Sequence, residues 1–183
     1  MRLLDSPLYN ADLEKAVGSI NFSPLDGKSF FVTGGLGLIA STIVDVLLTY
    51  GKTGIIYIGA RNKAQFEKRY GNLERVHFVY YDALKPLRLE FVPDYIIHSA
   101  GLASPELYTS MPVETVLSNV EGIHELLHFA KNNSVKRVCY ISSSEVYGKK
   151  STEESFVEGK YGEVDIDNIR SSYVVAKRAS EMI

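Results

Sequence analysis

A tyrosine and a lysine four residues apart form the pair in this sequence with the clearest chemical potential. Tyr173 and Lys177 fall on one face if their segment is a helix. An ammonium group beside a phenol favours the phenolate, which lowers the pKa of the tyrosine towards a range where it can act as a base. Upstream, Ser143 can hydrogen-bond a substrate hydroxyl and Glu145 is a candidate second acid or base. These four side chains are the predicted catalytic residues.

A glycine-rich segment, Thr33 to Ala40, fits the pattern T-G-x-x-G-x-x-G/A. In this pattern Gly34 permits a tight turn, Gly37 lets the backbone approach a pyrophosphate, and a small residue at position 40 allows close helix packing. The following helix would offer free N–H groups and a partial positive charge to phosphates. An apolar run before it and a helical run after it therefore predict a dinucleotide site. The predicted loop residues are Thr33, Gly34, Gly35, Leu36, Gly37, Leu38 and Ile39.

Short apolar runs alternate with helical stretches along most of the chain, and they predict the elements that position these motifs. Strands are predicted at 29–32, 55–58, 76–79, 95–98 and 137–141, and helices at 36–50, 62–70, 112–131 and 172–183. This alternation predicts an α/β fold with a Rossmann-like, doubly wound parallel sheet.

The first 26 residues form a predicted helical leader before this sheet. From Pro7 to Ile20, four aliphatic side chains fall roughly on one helical face, which we expect to pack against the rest of the protein. These side chains are Leu8, Leu13, Val17 and Ile20.

Charge and composition limit the partners. The 20 basic and 22 acidic residues give a net charge of −2, so no overall positive field is available for a nucleic acid or an acidic membrane.

The single cysteine, Cys139, lies in an apolar run and is predicted to be a buried structural thiol in a reducing compartment. With no signal peptide and no run of eighteen apolar residues, we expect a cytoplasmic location.

The end of the second predicted strand bears on the choice between NAD and NADP. A carboxylate there binds the ribose 2′-hydroxyl, whereas an arginine accommodates a 2′-phosphate. This chain has Ala60 at the position of the usual acid, followed by Arg61. Arg61 favours NADP, but a role as a solvated loop residue explains this arginine nearly as well. Both cofactors therefore stay open.

A zinc-protease pattern, H-E-x-x-H, competes with this interpretation. His124, Glu125 and His128 occupy it on a predicted helix. A catalytic zinc needs a third protein ligand, and no histidine follows residue 128. Coincidence is therefore favoured over a zinc hydrolase. The carboxylates that could complete a site are Glu145, Glu153 and Glu154.

Taken together, these motifs resemble the extended short-chain dehydrogenase/reductase family, also called NAD-dependent epimerase/dehydratases. The resemblance covers residues 27–183, and within the family it is strongest to UDP-glucuronate decarboxylases. The dTDP-glucose 4,6-dehydratases, which usually carry an aspartate where Ser144 stands, are the second candidate. The matching segments are Thr33 to Ala40, Asp82, His98 to Gly101, Ala103 to Pro105, Asn119, Ser142 to Gly148 and Tyr173 to Glu181.

The resemblance implies a nucleotide-sugar substrate and a mechanism. Tyr173 would take the proton of the sugar C4 hydroxyl while hydride passes to nicotinamide, and Lys177 would hold the nicotinamide ribose. A C6 carboxylate would then leave as carbon dioxide, whereas a dehydratase would use Glu145 to remove the C5 proton. Asp82 would contact adenine, and Ala100 and Asn119 the ribose and nicotinamide. The predicted cofactor residues outside the loop are Arg61, Asp82, Ala83, Ser99, Ala100, Gly101, Asn119, Ser142, Tyr173 and Lys177.

Members of this family continue beyond the point where this chain ends, ten residues after Tyr173. We therefore expect residues 27–183 to be an incomplete NAD(P)-binding Rossmann domain whose C-terminal substrate domain is absent. Turnover by this chain is uncertain, since substrate positioning supplies much of catalysis. A non-catalytic dinucleotide-binding module is a further alternative. The resemblance also suggests a homodimer through the helices near 112–131 and 172–183.

Overall fold

The computed structural model describes residues 3–71, 73–150 and 155–183. The chain forms two compact units, which are described one at a time. The first comprises Met1–Asp82, Phe91–Ser99 and Ser134–Cys139, and the second comprises Ala83–Glu90, Ala100–Asn133 and Tyr140–Ile183. In chain order the elements are α1 (Pro7–Val17), β1 (Phe30–Thr33), α2 (Leu38–Tyr50), β2 (Ile56–Ala60), α3 (Lys63–Tyr70), β3 (Val76–Tyr80), β4 (Tyr95–His98), α4 (Pro105–Ser110), α5 (Pro112–Asn132), β5 (Arg137–Tyr140) and α6 (Ser171–Met182).

The sheet has the strand order β3-β2-β1-β4-β5. β1 pairs in parallel with β2 and β4, so that Val32 lies opposite Ile58 on one side and Ile97 on the other. β2 pairs in parallel with β3. The direction of winding reverses between β1 and β4, which is the Rossmann arrangement. The predicted fold class is confirmed.

The core of the first unit lies between the sheet and the aliphatic face of α2. Val32, Ile56 and Ile58 on the strands are fully buried, which explains why these strands read as continuous apolar runs. From α2, Val44 and Leu47 pack into the same cluster at helical spacing. This packing fixes the start of α2 next to the end of β1, where the glycine-rich loop connects them.

The first helix, α1, is shorter than predicted and buries less of its surface. Gly18 ends it with a φ of 49°, a left-handed conformation that favours glycine, and its N–H donates to Glu14. Leu13 and Val17 are buried as expected. Leu8 is 75% exposed and Ile20, beyond the helix, is 61% exposed. The prediction that these two side chains pack inward was wrong.

The prediction of a buried Cys139 was also wrong. Its side chain is exposed. Cys139 lies on β5, an edge strand of the described sheet, and exposure alternates along that strand. An apolar sequence run predicts burial only where both faces of a strand are covered.

In the second unit, α5 packs extensively against α6, and a 3-10 turn at Ser144–Tyr147 precedes α6. The short helix α4 was not predicted, because its six residues are too few to show a periodic pattern. Ser104 caps it by accepting a hydrogen bond from Leu107, and Pro105 occupies its first position.

Over the described residues, no helix combines the length and apolarity needed to cross a membrane.

Candidate functional site

The glycine-rich loop of the first unit folds back on itself at the carboxyl end of β1. Gly34 has a φ of 67°, a value that side chains disfavour. Its N–H donates to the carbonyl of Gly59 at 2.8 Å, and its own carbonyl accepts from Gly37 at 2.8 Å. Gly35 is buried against Ile58, whose Cγ2 would lie 2.8 Å from an added Cβ. Gly34 therefore makes the predicted turn, and Gly35 adds a requirement for close packing that the motif alone did not indicate.

The first turn of α2 follows directly from this loop. Leu38 is 85% exposed and Ile39 is 55% exposed, although both are aliphatic. The first N–H groups of a helix have no partner within the helix. An exposed aliphatic surface beside free N–H groups can bind a ligand that has both apolar and phosphate parts.

The ends of β1 and β4 are joined by polar contacts in the first unit. Thr33 Oγ1 lies 2.6 Å from Nδ1 of His98, and the Ser99 N–H donates to the Thr33 carbonyl at 3.2 Å. Both strands end here at the reversal of strand order, the position where doubly wound sheets bind ligands. Arg61 is exposed directly after β2, and Asp82 is half-buried shortly after β3. The sequence-predicted residues of this unit thus follow the carboxyl ends of four neighbouring strands.

In the second unit, α6 carries the tyrosine and lysine pair on a buried face. Tyr173 and Lys177 are each only 6% exposed. The Lys177 ammonium donates to the carbonyl of Ile141 at 2.9 Å. It also lies 4.5 Å from the ring centre of Tyr140 and 5.7 Å from that of Tyr173. The predicted pair is therefore brought together, with the ammonium held among aromatic rings.

Burial changes the acidity of the lysine. Desolvation lowers the pKa of Lys177 from its ordinary 10.5 to about 8, and the charge of Glu181 opposes this effect. A lysine with a pKa near neutrality can change its protonation state during a reaction.

Tyr108, on α4, was missed by the sequence analysis. Its ring stacks on that of Tyr173 with 4.2 Å between ring centres and 7° between planes. Burial raises the pKa of Tyr108 well above its usual range, and Tyr173 adds to the increase through its charge and a hydrogen bond. The two tyrosines are 65 positions apart, and no local pattern in the sequence links them.

The 3-10 turn positions the other two predicted catalytic residues. Ser143 Oγ accepts a hydrogen bond from the N–H of Glu145 at 3.2 Å. The Glu145 carboxylate accepts from both terminal nitrogens of Arg170, at 2.5 and 3.0 Å. Arg170 directly precedes α6 and was not predicted. Glu145 is thus an ion-paired carboxylate rather than an isolated one.

Two buried acceptors in the second unit coincide with predicted cofactor residues. Asn119 is fully buried and donates to the Thr115 carbonyl at 2.8 Å. Its Oδ1 and the Oγ of Ser142 are buried and make no hydrogen bond within the described part of the chain. An added Cβ on Gly101 would lie 2.7 Å from that Oδ1. The same unit contains Ala83 and Ala100, both half-buried.

The zinc-protease pattern lies on the exposed side of α5. The rings of His124 and His128 are 6.4 Å apart, and Nδ1 of His124 is 3.8 Å from the Glu125 carboxylate. Within the described ranges, no third metal-binding side chain joins them. Of the carboxylates considered as third ligands, Glu145 is paired with Arg170. Glu153 and Glu154 lie outside the described residues.

Curated relatives are similar over most of this chain. UDP-glucuronic acid decarboxylase 6 of Arabidopsis thaliana is 33% identical over 173 residues, which cover 88% of this chain and 48% of the relative. UDP-glucuronic acid decarboxylase 2 of the same plant is 34% identical over 161 residues, covering 86% of this chain and 35% of the relative. The chain thus spans about half or less of the length of these relatives.

Solved structures are similar over the same region. A UDP-N-acetylglucosamine 4-epimerase from Methanobrevibacter ruminantium, in complex with UDP-N-acetylmuramic acid, has a TM-score of 0.67 and 28% identity, covering 86% of this chain and 49% of that one. A dTDP-glucose 4,6-dehydratase double mutant from Streptomyces venezuelae, with NAD and DAU bound, has a TM-score of 0.68 and 25% identity, covering 84% and 49%. Residues 30–183 match the sequence model of the NAD dependent epimerase/dehydratase family. This chain belongs to that family.

Proposed function

We propose that the chain is the nucleotide-binding part of an NAD(P)-dependent enzyme that oxidises a nucleotide sugar at C4 and then decarboxylates it, as UDP-glucuronate decarboxylases do. The observation that carries this proposal is the buried pair on α6. Tyr173 supplies a phenol on a water-poor face, and Lys177 supplies an ammonium whose pKa of about 8 allows it to exchange protons near neutral pH.

The chain's own side chains handle the proton and the orientation of the sugar. Tyr173 accepts the proton of the C4 hydroxyl, and the hydroxyl of Ser143 donates to a substrate oxygen while its lone pair holds Glu145. NAD(P), when bound, would supply the hydride acceptor for oxidation at C4 and the hydride donor for the final reduction. A ketone at C4 makes a C6 carboxylate a β-keto acid, so the C5–C6 bond breaks with release of carbon dioxide. The electron pair of that bond remains at C5 as an enolate, which takes up a proton.

A dinucleotide suits the residues that would hold it. In the first unit, the loop from Gly34 to Gly37 brings backbone rather than side chains to a helix start with free N–H groups. In the second unit, Asn119 Oδ1 and Ser142 Oγ are buried acceptors that a ribose hydroxyl or a carboxamide can satisfy. The choice between NAD and NADP rests on Arg61.

The ion pair between Glu145 and Arg170 favours decarboxylation over the dehydratase alternative. A dehydratase needs a carboxylate free to take the C5 proton, whereas both oxygens of Glu145 are engaged by Arg170. The residue before it is Ser144, at the position where dehydratases usually carry an aspartate. We also propose that the protein is cytoplasmic, that it dimerises through α5 and α6, and that it binds neither nucleic acid nor membrane.

Calorimetric titration with NAD and with NADP tests the cofactor site. We expect saturable binding that a Gly37→Val variant weakens at least about 100-fold, because an added Cβ would already lie 3.2 Å from the Gly34 carbonyl. The matched control is Ala64→Val, which adds bulk at an exposed position of α3. Equal affinities of Gly37→Val and the control would contradict a cofactor site at this loop.

Incubation with UDP-glucuronate and with dTDP-glucose, in the presence of the cofactor, tests the reaction. Carbon dioxide release from UDP-glucuronate supports the decarboxylase. A 4-keto-6-deoxy product from dTDP-glucose supports the dehydratase. Cofactor binding without either product, in a protein that spans the full length of these relatives, would favour the non-catalytic module.

A further inference from the structure

A series of hydrogen bonds runs through the first unit from α1 to the glycine-rich loop. The Tyr9 hydroxyl donates to Oδ2 of Asp45 at 2.8 Å, and Nη2 of Arg69 donates to the same oxygen at 2.7 Å. Nε of Arg69 donates to the Tyr70 hydroxyl at 3.0 Å. That hydroxyl donates to the carbonyl of Gly35 at 3.2 Å. Side chains from three helices thus end on one peptide of the loop.

Burial keeps this series intact. Asp45 is 2% exposed and Tyr70 is 1% exposed, so losing a hydrogen-bond partner would leave a buried polar group unsatisfied. Desolvation raises the pKa of Asp45, while the bonds from Tyr9 and Arg69 favour its charged form. Burial also raises the pKa of Tyr70 to about 12. The Tyr70 hydroxyl therefore keeps its proton and remains a donor to Gly35.

The Gly35 peptide is held from two sides. Towards the sheet, an added Cβ would lie 2.8 Å from Ile58, so the backbone is packed directly against that side chain. On the helix side, its carbonyl is bound by Tyr70. The carbonyl and the N–H of one trans peptide point in opposite directions. Anchoring the Gly35 carbonyl therefore fixes the direction of the Leu36 N–H, within the loop that would hold pyrophosphate.

We infer that Tyr70 is a positioning residue for the dinucleotide loop, and that Tyr9, Asp45 and Arg69 hold its hydroxyl in place, so that α1 contributes to cofactor affinity without touching the cofactor. This inference rests on the proposed dinucleotide site. A loop ordered before binding avoids the entropy that a mobile loop loses when the ligand binds. The segment before the sheet thus acquires a role in binding that the family motif does not assign to it.

Hydrogen exchange of the free chain provides the first test. We expect Tyr70→Phe to accelerate exchange of the amides at 34–38 about fivefold, the effect of losing one hydrogen bond of average strength. Exchange of the β1 amides, which reports overall opening, should change less. Tyr9→Phe should act in the same direction with about a twofold effect, because it is further along the series. The matched control is Tyr50→Phe, since Tyr50 lies at the other end of α2 and stacks on Phe22.

Calorimetric titration of the same variants with NAD and NADP completes the experiment. Tyr70→Phe should weaken binding about fivefold, and Tyr50→Phe should leave it unchanged. Equal exchange at 34–38 in the Tyr70→Phe and Tyr50→Phe variants would overturn the inference. So would equal acceleration of the loop and of β1, because that pattern indicates a general loss of stability. Failure of the unmodified chain to bind either nucleotide would instead contradict the proposed function, while loop exchange still decides whether Tyr70 orders the loop.

Discussion

Asp45 in the first unit and Lys177 in the second are both buried charged side chains, but their surroundings differ. Asp45 is 2% exposed and accepts hydrogen bonds from Arg69, at 2.7 Å, and from Tyr9. Lys177 is 6% exposed and meets a carbonyl and aromatic rings. Among the described residues, it makes no ion pair within 4.0 Å. The first charge is matched by an opposite charge, and the second is not.

This difference separates a charge that connects structural elements from one whose protonation can change near neutral pH. A matched charge ties elements together, because losing either partner leaves the other one buried without compensation. An unmatched ammonium is destabilised by desolvation, and its pKa falls to about 8. In the first unit the buried charge is thus joined to neighbouring helices by polar side chains, whereas in the second burial lowers the pKa of a candidate reactive group.

Removing the Tyr173 hydroxyl should produce the largest of the expected effects, a loss of nucleotide-sugar oxidation. We expect Tyr173→Phe to reduce nucleotide-sugar oxidation about 1000-fold, the typical contribution of a general base. Binding of NAD or NADP should change far less, because this variant removes one hydroxyl and keeps the glycine-rich loop and the buried acceptors of Asn119 and Ser142. The measurement is single-turnover formation of reduced nicotinamide, with Tyr161→Phe as the control at an exposed tyrosine of the same unit. Full activity of Tyr173→Phe would refute the assignment of the base.

Titration of Lys177 tests the unmatched charge. In the unfolded chain its pKa returns to 10.5, so between pH 8 and 10.5 the unfolded state binds more protons and the free energy of unfolding rises with pH. The full increase is about 3 kcal/mol. Urea unfolding at pH 7.5 and pH 10 should show most of this increase in the free energy of unfolding for the original chain. Lys177→Met should not show it. Lys160→Met, at an exposed lysine, should retain the increase. The same pH dependence in all three chains would show that Lys177 has an ordinary pKa.

Removing the charge of Asp45, which is matched by Arg69, should lower the free energy of unfolding. Asp45→Asn keeps the shape but leaves Arg69 without a carboxylate, so we expect the free energy of unfolding at pH 7 to fall by about 2 kcal/mol. Urea unfolding followed by circular dichroism measures the change. Asp12→Asn, at an exposed aspartate of α1, is the control and should differ from the original chain by less than about 0.5 kcal/mol. A stabilised Asp45→Asn would remove the contrast with Lys177.

The sequence predicted the elements of the sheet well, because their signals are local. Buried parallel strands read as apolar runs, and the turn at Gly34 needs a residue that tolerates a φ of 67°. The same reasoning failed where burial depends on distant neighbours. Cys139 is apolar in its local context but lies on an edge strand, and Leu8 belongs to a helix whose described contacts leave it exposed.

The candidate site was predictable only as far as its motifs extend. The spacing of Tyr173 and Lys177 indicated a shared helix face, and that face is buried. The partners of these residues come from remote positions, since Tyr108 stacks on Tyr173 and Arg170 pairs with Glu145. Such contacts depend on how helices and loops meet in three dimensions, which periodicity does not encode. The motifs indicated candidate reactive groups, whereas only the structure showed which residues contact them.

The smallest expected effect concerns Arg61, at the exposed edge of the first unit. A guanidinium there can pair with the 2′-phosphate of NADP, but solvent screens exposed ion pairs. We therefore expect Arg61→Gln to lower the affinity for NADP relative to NAD only about tenfold. Calorimetric titration with both nucleotides gives this ratio, and Lys52→Gln, another exposed cation of the unit, should leave it unchanged. An unchanged ratio in Arg61→Gln would mean that Arg61 is a solvated loop residue, because an arginine that contacts the 2′-phosphate distinguishes the two nucleotides whatever its exposure.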